Sequence, residues 1–63
     1  MNLQLKLQNE KLESLKHQLN YTNECLNQSD IKDWENKEYT NLKKDLISEI
    51  SETEDLIKTI KSL

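Results

Sequence analysis

Leucine and isoleucine recur along this chain at steps of three, four and seven residues, almost from one end to the other. Side chains at these spacings share one face of an α-helix, which has about 3.6 residues per turn. Glycine and proline, the residues that most often mark turns, are absent from all 63 positions. The pattern therefore predicts an all-α protein made of long amphipathic helix.

The first predicted helix spans about residues 2–26 and carries a leucine at every seventh position. With Leu15 added, the first apolar stripe consists of Leu5, Leu12, Leu15, Leu19 and Leu26. If the repeating leucines occupy heptad position a, the d positions are Met1, Gln8, Leu15, Thr22 and Ser29. Polar residues at d weaken this stripe toward its C-terminal end. Placing the leucines at d instead would put Asn2, Asn9, Lys16 and Asn23 at a, and we prefer the first register because it includes Leu15.

A thinner stripe of Leu3, Leu7, Tyr21 and Cys25 lies on the opposite side of the first helix. Single apolar residues are common on protein surfaces, so we interpret this stripe as scattered surface side chains. The alternative interpretation is a contact with a third helix.

The second predicted helix spans about residues 31–62, and its apolar face is wider. Its stripe steps by three or four residues and consists of Tyr39, Leu42, Leu46, Ile50, Thr53, Ile57 and Ile60, and it is bordered by Ile31, Leu56 and Leu63. Trp34 and Ile47 lie on opposite shoulders of the stripe. A face of this width predicts packing against more than one neighbouring helix.

The one plausible break lies at residues 27–30, where four polar residues follow one another. We expect Ser29 or Asp30 to cap the second helix, with Asp30, Asp33 and Glu35 placing negative charge in its first turn. The leucine register also slips here. The chain therefore either turns back as an αα-hairpin or continues as one helix with a local phase discontinuity. We prefer the turn, although no glycine assists it.

Composition limits the possible functions further. A third of the chain is charged, so about twenty apolar side chains cannot offset the conformational entropy of folding if half of them stay in water. The single Cys25 excludes an intrachain disulfide, and a partner is the remaining source of stability. The net charge of −3 and the spread of the nine lysines argue against nucleic acid as a ligand. No apolar run suits membrane insertion and no signal peptide is visible, so we expect an intracellular protein of the cytoplasm or nucleus.

Candidate chemical residues are few. His17 points away from the leucine stripe, and eight residues separate it from Cys25, which is not a zinc spacing. No carboxylate pair, nucleophile–base pair or phosphate loop can be assembled, so we expect neither an enzyme nor a cofactor, metal or small-molecule substrate. We interpret Trp34 and Tyr39 as a structural plug at the end of a helical bundle, and alternatively as anchors at a binding interface.

Two local resemblances stand out. Leu5, Leu12, Leu19 and Leu26 resemble the zipper of bZIP proteins, but no arginine and no basic region accompany them. About fourteen residues, from Trp34 through Tyr39, Thr40, Leu42, Leu46 and Ile47, are similar to the C-terminal heptad segment of lentiviral envelope fusion cores.

The sequence thus predicts one oligomeric helical module over residues 1–63, either a coiled coil or a helical hairpin. Its function would be structural: a scaffold that pairs with itself, as a dimer to tetramer, or with another helical protein, and holds a larger complex together. The alternative is a helical segment that folds on binding a different protein, and a more remote alternative is a viral fusion-core-like segment. The predicted interface consists of Leu5, Leu12, Leu15, Leu19, Leu26, Ile31, Trp34, Tyr39, Leu42, Leu46, Ile50, Ile57 and Ile60.

Overall fold

The computed structural model describes residues 2–63 and contains two α-helices that pack against each other as a hairpin. Helix α1 spans Leu3–Leu26 and helix α2 spans Asp33–Ser62. The Cα trace is a narrow rod of 47 × 15 × 11 Å, and residues 2–63 contain no strand. The predicted all-α fold is therefore confirmed, and of the two alternatives the chain adopts the turn. Met1, which the heptad register places at a d position, lies outside the described residues.

Helix α1 begins where a side chain can satisfy its first backbone donors. Asn2 has extended backbone angles, and its side-chain oxygen accepts a hydrogen bond from the Leu5 backbone N–H at 3.3 Å. Asparagine is among the strongest N-cap residues because it replaces a hydrogen bond that the first turn lacks. At the other end, the Asn27 N–H donates to the Asn23 carbonyl oxygen at 3.1 Å and ends the helix.

The connection over residues 27–32 turns the chain without glycine. No residue in the range 2–63 has a positive φ angle, so no position requires the left-handed conformation that glycine favours. The prediction that Ser29 or Asp30 caps α2 is wrong, because the helix begins later and Lys32 occupies the cap position. Lysine has no acceptor for this purpose. Glu35 partly compensates by accepting a hydrogen bond from the Lys32 N–H at 3.4 Å.

Negative charge in the first turn of α2 is confirmed for Asp33 and Glu35 but not for Asp30, which lies in the connection. Carboxylates near a helix N-terminus are stabilised by its exposed N–H groups, by about 0.3–1 kcal/mol each at the surface. These two carboxylates therefore supply part of the stabilisation that a capping side chain would have given the first turn of α2.

The hairpin has a small interior along the line where the helices meet. Leu15, Leu46 and Ile50 form its centre, and Leu12 and Leu19 pack against them. Two further hydrophobic side chains, Cys25 toward the turn and Ile57 toward the open end, are buried on the same line. Burying a leucine or isoleucine contributes roughly 1.5–3 kcal/mol, so these contacts hold the two helices together.

Candidate interaction surface

We call the line of contact between the helices the interhelical seam. In α1 it follows the preferred register: Leu5, Gln8, Leu12, Leu15, Leu19, Thr22 and Leu26 are all buried or partly buried. In α2 the corresponding positions are Tyr39, Lys43, Leu46, Ile50, Thr53, Ile57 and Ile60. Of the residues predicted to form an interface, all except Trp34 and Leu42 are buried or partly buried within the hairpin.

Leu42 and Lys43 differ from the expected pattern. The seam of α2 steps by four residues from Tyr39 to Lys43 and then by three to Leu46, which leaves Leu42 about one-quarter of a turn away. Leu42 is consequently 44% exposed. Lysine is tolerated beside the seam because its methylene stem covers apolar surface while its ammonium group stays in water.

Besides Lys43, three polar side chains interrupt the seam. The Thr22 and Thr53 hydroxyls are buried and donate to carbonyl oxygens one turn back, those of Gln18 at 2.8 Å and Glu49 at 2.7 Å. Each hydroxyl is therefore satisfied inside its own helix and adds nothing across the seam. The side-chain oxygen of Gln8 is also buried, but it has no hydrogen-bond partner within residues 2–63. An unsatisfied buried acceptor costs roughly 1–3 kcal/mol, so this layer weakens the hairpin.

A cluster of Tyr21, Cys25 and Tyr39 lies near the turn. Cys25 is only 8% exposed, so its assignment to a surface stripe opposite the leucines is wrong. Tyr39 approaches from the second helix, which local spacing in α1 could not reveal. Trp34 does not plug the bundle end within this hairpin, since 61% of its surface is exposed.

Cys25 raises the pKa of both tyrosines in this cluster. The pKa of Tyr21 lies above its ordinary value of 10.0, first through side-chain hydrogen bonding with Cys25, then through the thiolate charge, desolvation and Glu24. The pKa of Tyr39 is raised above 10.0 by the same leading causes, to which Tyr21 and Glu35 add.

We expect the tyrosines to ionise at higher pH in the folded hairpin than in the unfolded chain, and Cys25→Ala to shift both titrations down toward 10.0. A raised folded-state pKa stabilises the hairpin below the unfolded-state pKa, and this contribution is lost as the pH rises through the folded-state value. Phenolate absorbance followed through an alkaline titration measures the shift. Identical titrations of the native chain and the alanine variant would contradict the assignment to Cys25.

One lateral side of the hairpin carries a second set of apolar side chains, outside the seam. A surface groove lined by Gln8, Lys11, Glu49, Glu52, Thr53 and Leu56 fixes which residues share this side. Leu42, Glu49 and Leu56 follow one another at intervals of seven residues, and Leu7 lies one turn before Lys11. Tyr21 adjoins the same side near the turn, through its interaction with Cys25. We call this surface the leucine–tyrosine face; it consists of Leu7, Lys11, Tyr21, Leu42, Glu49 and Leu56.

The two lateral sides of the hairpin differ in charge: acidic residues dominate the border of this face, whereas the opposite side carries both lysine and glutamate. Glu38, Asp45 and Glu52 recur every seven residues and border the leucine–tyrosine face. On the other side, one groove is lined by Lys58 and Lys61 together with Glu54, and a second groove is lined by Lys6 and Lys16 together with Glu10 and Glu13. Helical spacing adds Lys37 and Lys44, which lie at multiples of seven residues before Lys58. We call this second surface the lysine face; it consists of Lys6, Lys16, Lys37, Lys44, Ile47, Lys58 and Lys61.

No three His, Cys, Asp or Glu side chains within residues 2–63 come close enough together to hold a metal ion. Neither α1 nor α2 is apolar enough over a sufficient length to cross a membrane. Comparison with models of protein families, with curated proteins and with solved structures finds no match to this chain.

Proposed function

We propose that this chain is a structural protein–protein interaction module that pairs with further copies of itself through helix faces and holds a larger complex together. The observation that supports the proposal most strongly is the distribution of apolar side chains. The hairpin buries few of them, and its large exposed hydrophobics are Leu3, Leu7, Tyr21, Trp34, Leu42, Ile47, Leu56 and Leu63.

Energetics support the same proposal. A fully buried leucine contributes roughly 1.5–3 kcal/mol, so a leucine left half exposed can still return about 1 kcal/mol on association. Several such residues on one face are enough for a helical contact. The acidic side chains around them oppose the contact only weakly, because an exposed charge pair in water changes the free energy by about 0–1 kcal/mol. Clustered exposed apolar residues with a polar border are typical of interaction sites.

The polar layers of the seam favour a second candidate function, in which the chain folds on binding a different protein. Gln8, Thr22 and Thr53 occupy positions where an apolar residue would stabilise the hairpin more. A segment that folds only weakly alone becomes ordered when it binds its partner. The free energy spent on this ordering lowers its affinity relative to a prefolded protein with the same contact area. This candidate predicts that the isolated chain has little helix.

Sedimentation velocity over a concentration series, with circular dichroism on the same samples, tests the proposal. We expect a strongly helical chain that forms a discrete dimer or a small oligomer as concentration rises through the micromolar range. A helical monomer at every concentration would contradict self-assembly. A weakly helical monomer would contradict it as well and would support the second candidate.

A further inference from the structure

We propose that a second copy of the chain docks on the leucine–tyrosine face, with the turns of the two hairpins at the same end. The arrangement rests on the proposed self-assembly and adds to it the surface and the orientation. In it, α1 of each hairpin lies against α2 of the other, so that four helices surround a common interior.

The apolar side chains select this face. Leu7 and Leu56 lie toward the open end of the hairpin, and Tyr21 and Leu42 lie toward the turn, so the face has an apolar patch at each end. Within the described residues, the lysine face offers Ile47 as its single large exposed hydrophobic. A surface with two apolar patches is best covered by a surface with apolar patches at the same separation, and the leucine–tyrosine face of another copy provides them.

The position of each residue along the long axis of the rod, which we call its level, shows which residues of the two copies face each other. The groove beside Lys11 places Gln8 next to Leu56, and Leu7 precedes Gln8 in the same turn of α1. Rotation by half a turn about the long axis of the rod keeps every residue at its own level. Leu7 of one copy then lies opposite Leu56 of the second copy, and by the same rotation Tyr21 lies opposite Leu42.

Charge decides between this orientation and the inverted one. Inverting one hairpin end for end would place α2 of one copy against α2 of the other. Leu42 of each copy would still contact Leu56 of the other, because Glu49 lies midway between Leu42 and Leu56 in the sequence. However, Glu49 would then face Glu49 of the second copy, with Asp45 and Glu52 close by, so acidic side chains would outnumber Lys11, the one lysine that lines this groove in each copy. Like charges opposite one another oppose association. With the turns at the same end, Lys11 faces Glu49 of the second copy, so the attractive pairing selects this orientation.

A matched pair of variants tests the face. Leu56 is 43% exposed and Ile47 is 49% exposed, and the two residues lie on opposite lateral sides of α2. We expect Leu56→Glu to raise the dissociation constant by about tenfold or more, because it places a charge in the apolar patch at the open end of the contact, while Ile47→Glu leaves it within about threefold. Sedimentation velocity gives the constants, and circular dichroism shows that both variants keep their helices.

A distance measurement tests the orientation. In a Cys25→Ser background, Gln28→Cys introduces one exposed thiol in the connection between the helices, where a spin label can be attached. Turns at the same end place the two labels well within the 47 Å length of the rod, whereas inverted hairpins place them near that full length. Sedimentation of the labelled protein confirms that it assembles like the native chain.

Each outcome separates this proposal from the one on which it rests. If the native chain stays monomeric, both fail. If the native chain assembles but Ile47→Glu dissociates it more than Leu56→Glu, self-assembly stands and the leucine–tyrosine face is the wrong surface. If the labels lie near the full length of the rod, the face stands and the orientation is wrong.

Discussion

Replacing Leu46 with Asp is expected to unfold the hairpin. Leu46 is 4% exposed and packs against Leu15 and Ile50 at the centre of the seam. The change removes roughly 1.5–3 kcal/mol of apolar burial. It also places a carboxylate among apolar side chains without a partner, which costs several kcal/mol more. The sum is comparable with the whole stability of a small domain, about 5–15 kcal/mol, so circular dichroism of Leu46→Asp should show loss of most of the helical signal.

The neighbouring residue provides the control for this prediction. Ile47→Asp makes the same kind of change one position away, at a side chain that is about half exposed. We expect that variant to keep its helical signal, because its carboxylate reaches water. If Leu46→Asp were as helical as Ile47→Asp, Leu46 would not lie in the interior of the hairpin.

Gln8→Leu is expected to stabilise the hairpin. The Gln8 side-chain oxygen is buried and unpaired, which costs roughly 1–3 kcal/mol that the leucine side chain removes. The new side chain also extends the seam leucines by one layer toward the open end. The melting temperature should rise by roughly 4–8 °C for each kcal/mol gained. Thermal unfolding at one fixed protein concentration measures the change, since self-assembly makes the midpoint depend on concentration.

Asn20→Leu serves as the comparison for Gln8→Leu. Asn20 is exposed on α1 and lies outside both the seam and the leucine–tyrosine face. We expect a gain of about 0.5 kcal/mol or less there, the difference in helix propensity alone. Equal gains at the two positions would show that the unpaired oxygen of Gln8 does not lower the free energy of unfolding of the hairpin.

The elements of this fold could be predicted because their signals are local. The spacing of Leu5, Leu12, Leu15, Leu19 and Leu26 depends only on helical geometry, so it gave both the bounds of α1 and the face that α1 buries. The start of α2 was predicted within two residues. Its cap was predicted wrongly, because capping depends on the backbone conformation of the connection rather than on the presence of a capping residue.

What the sequence pattern missed depends on the rotation of one helix relative to the other. The burial of Cys25 requires Tyr39 to approach from α2, and the exposure of Leu42 depends on which stripe of α2 meets α1. The gathering of several lysines on one side of the hairpin has the same origin. Along the chain the lysines look evenly spread, yet the hairpin brings Lys6 and Lys16 of α1 to the same side as Lys58 and Lys61 of α2.

The connection over residues 27–32 has a consequence for how freely this chain can be altered. Since no residue there has a positive φ angle, none is fixed by backbone conformation to glycine or asparagine. Residues 27–30 are also exposed and take no part in the interior. The closing entropy of a loop grows only slowly with its length. The turn is therefore a permissive insertion point, where a tag or a short binding peptide can be added while the two helices keep their register.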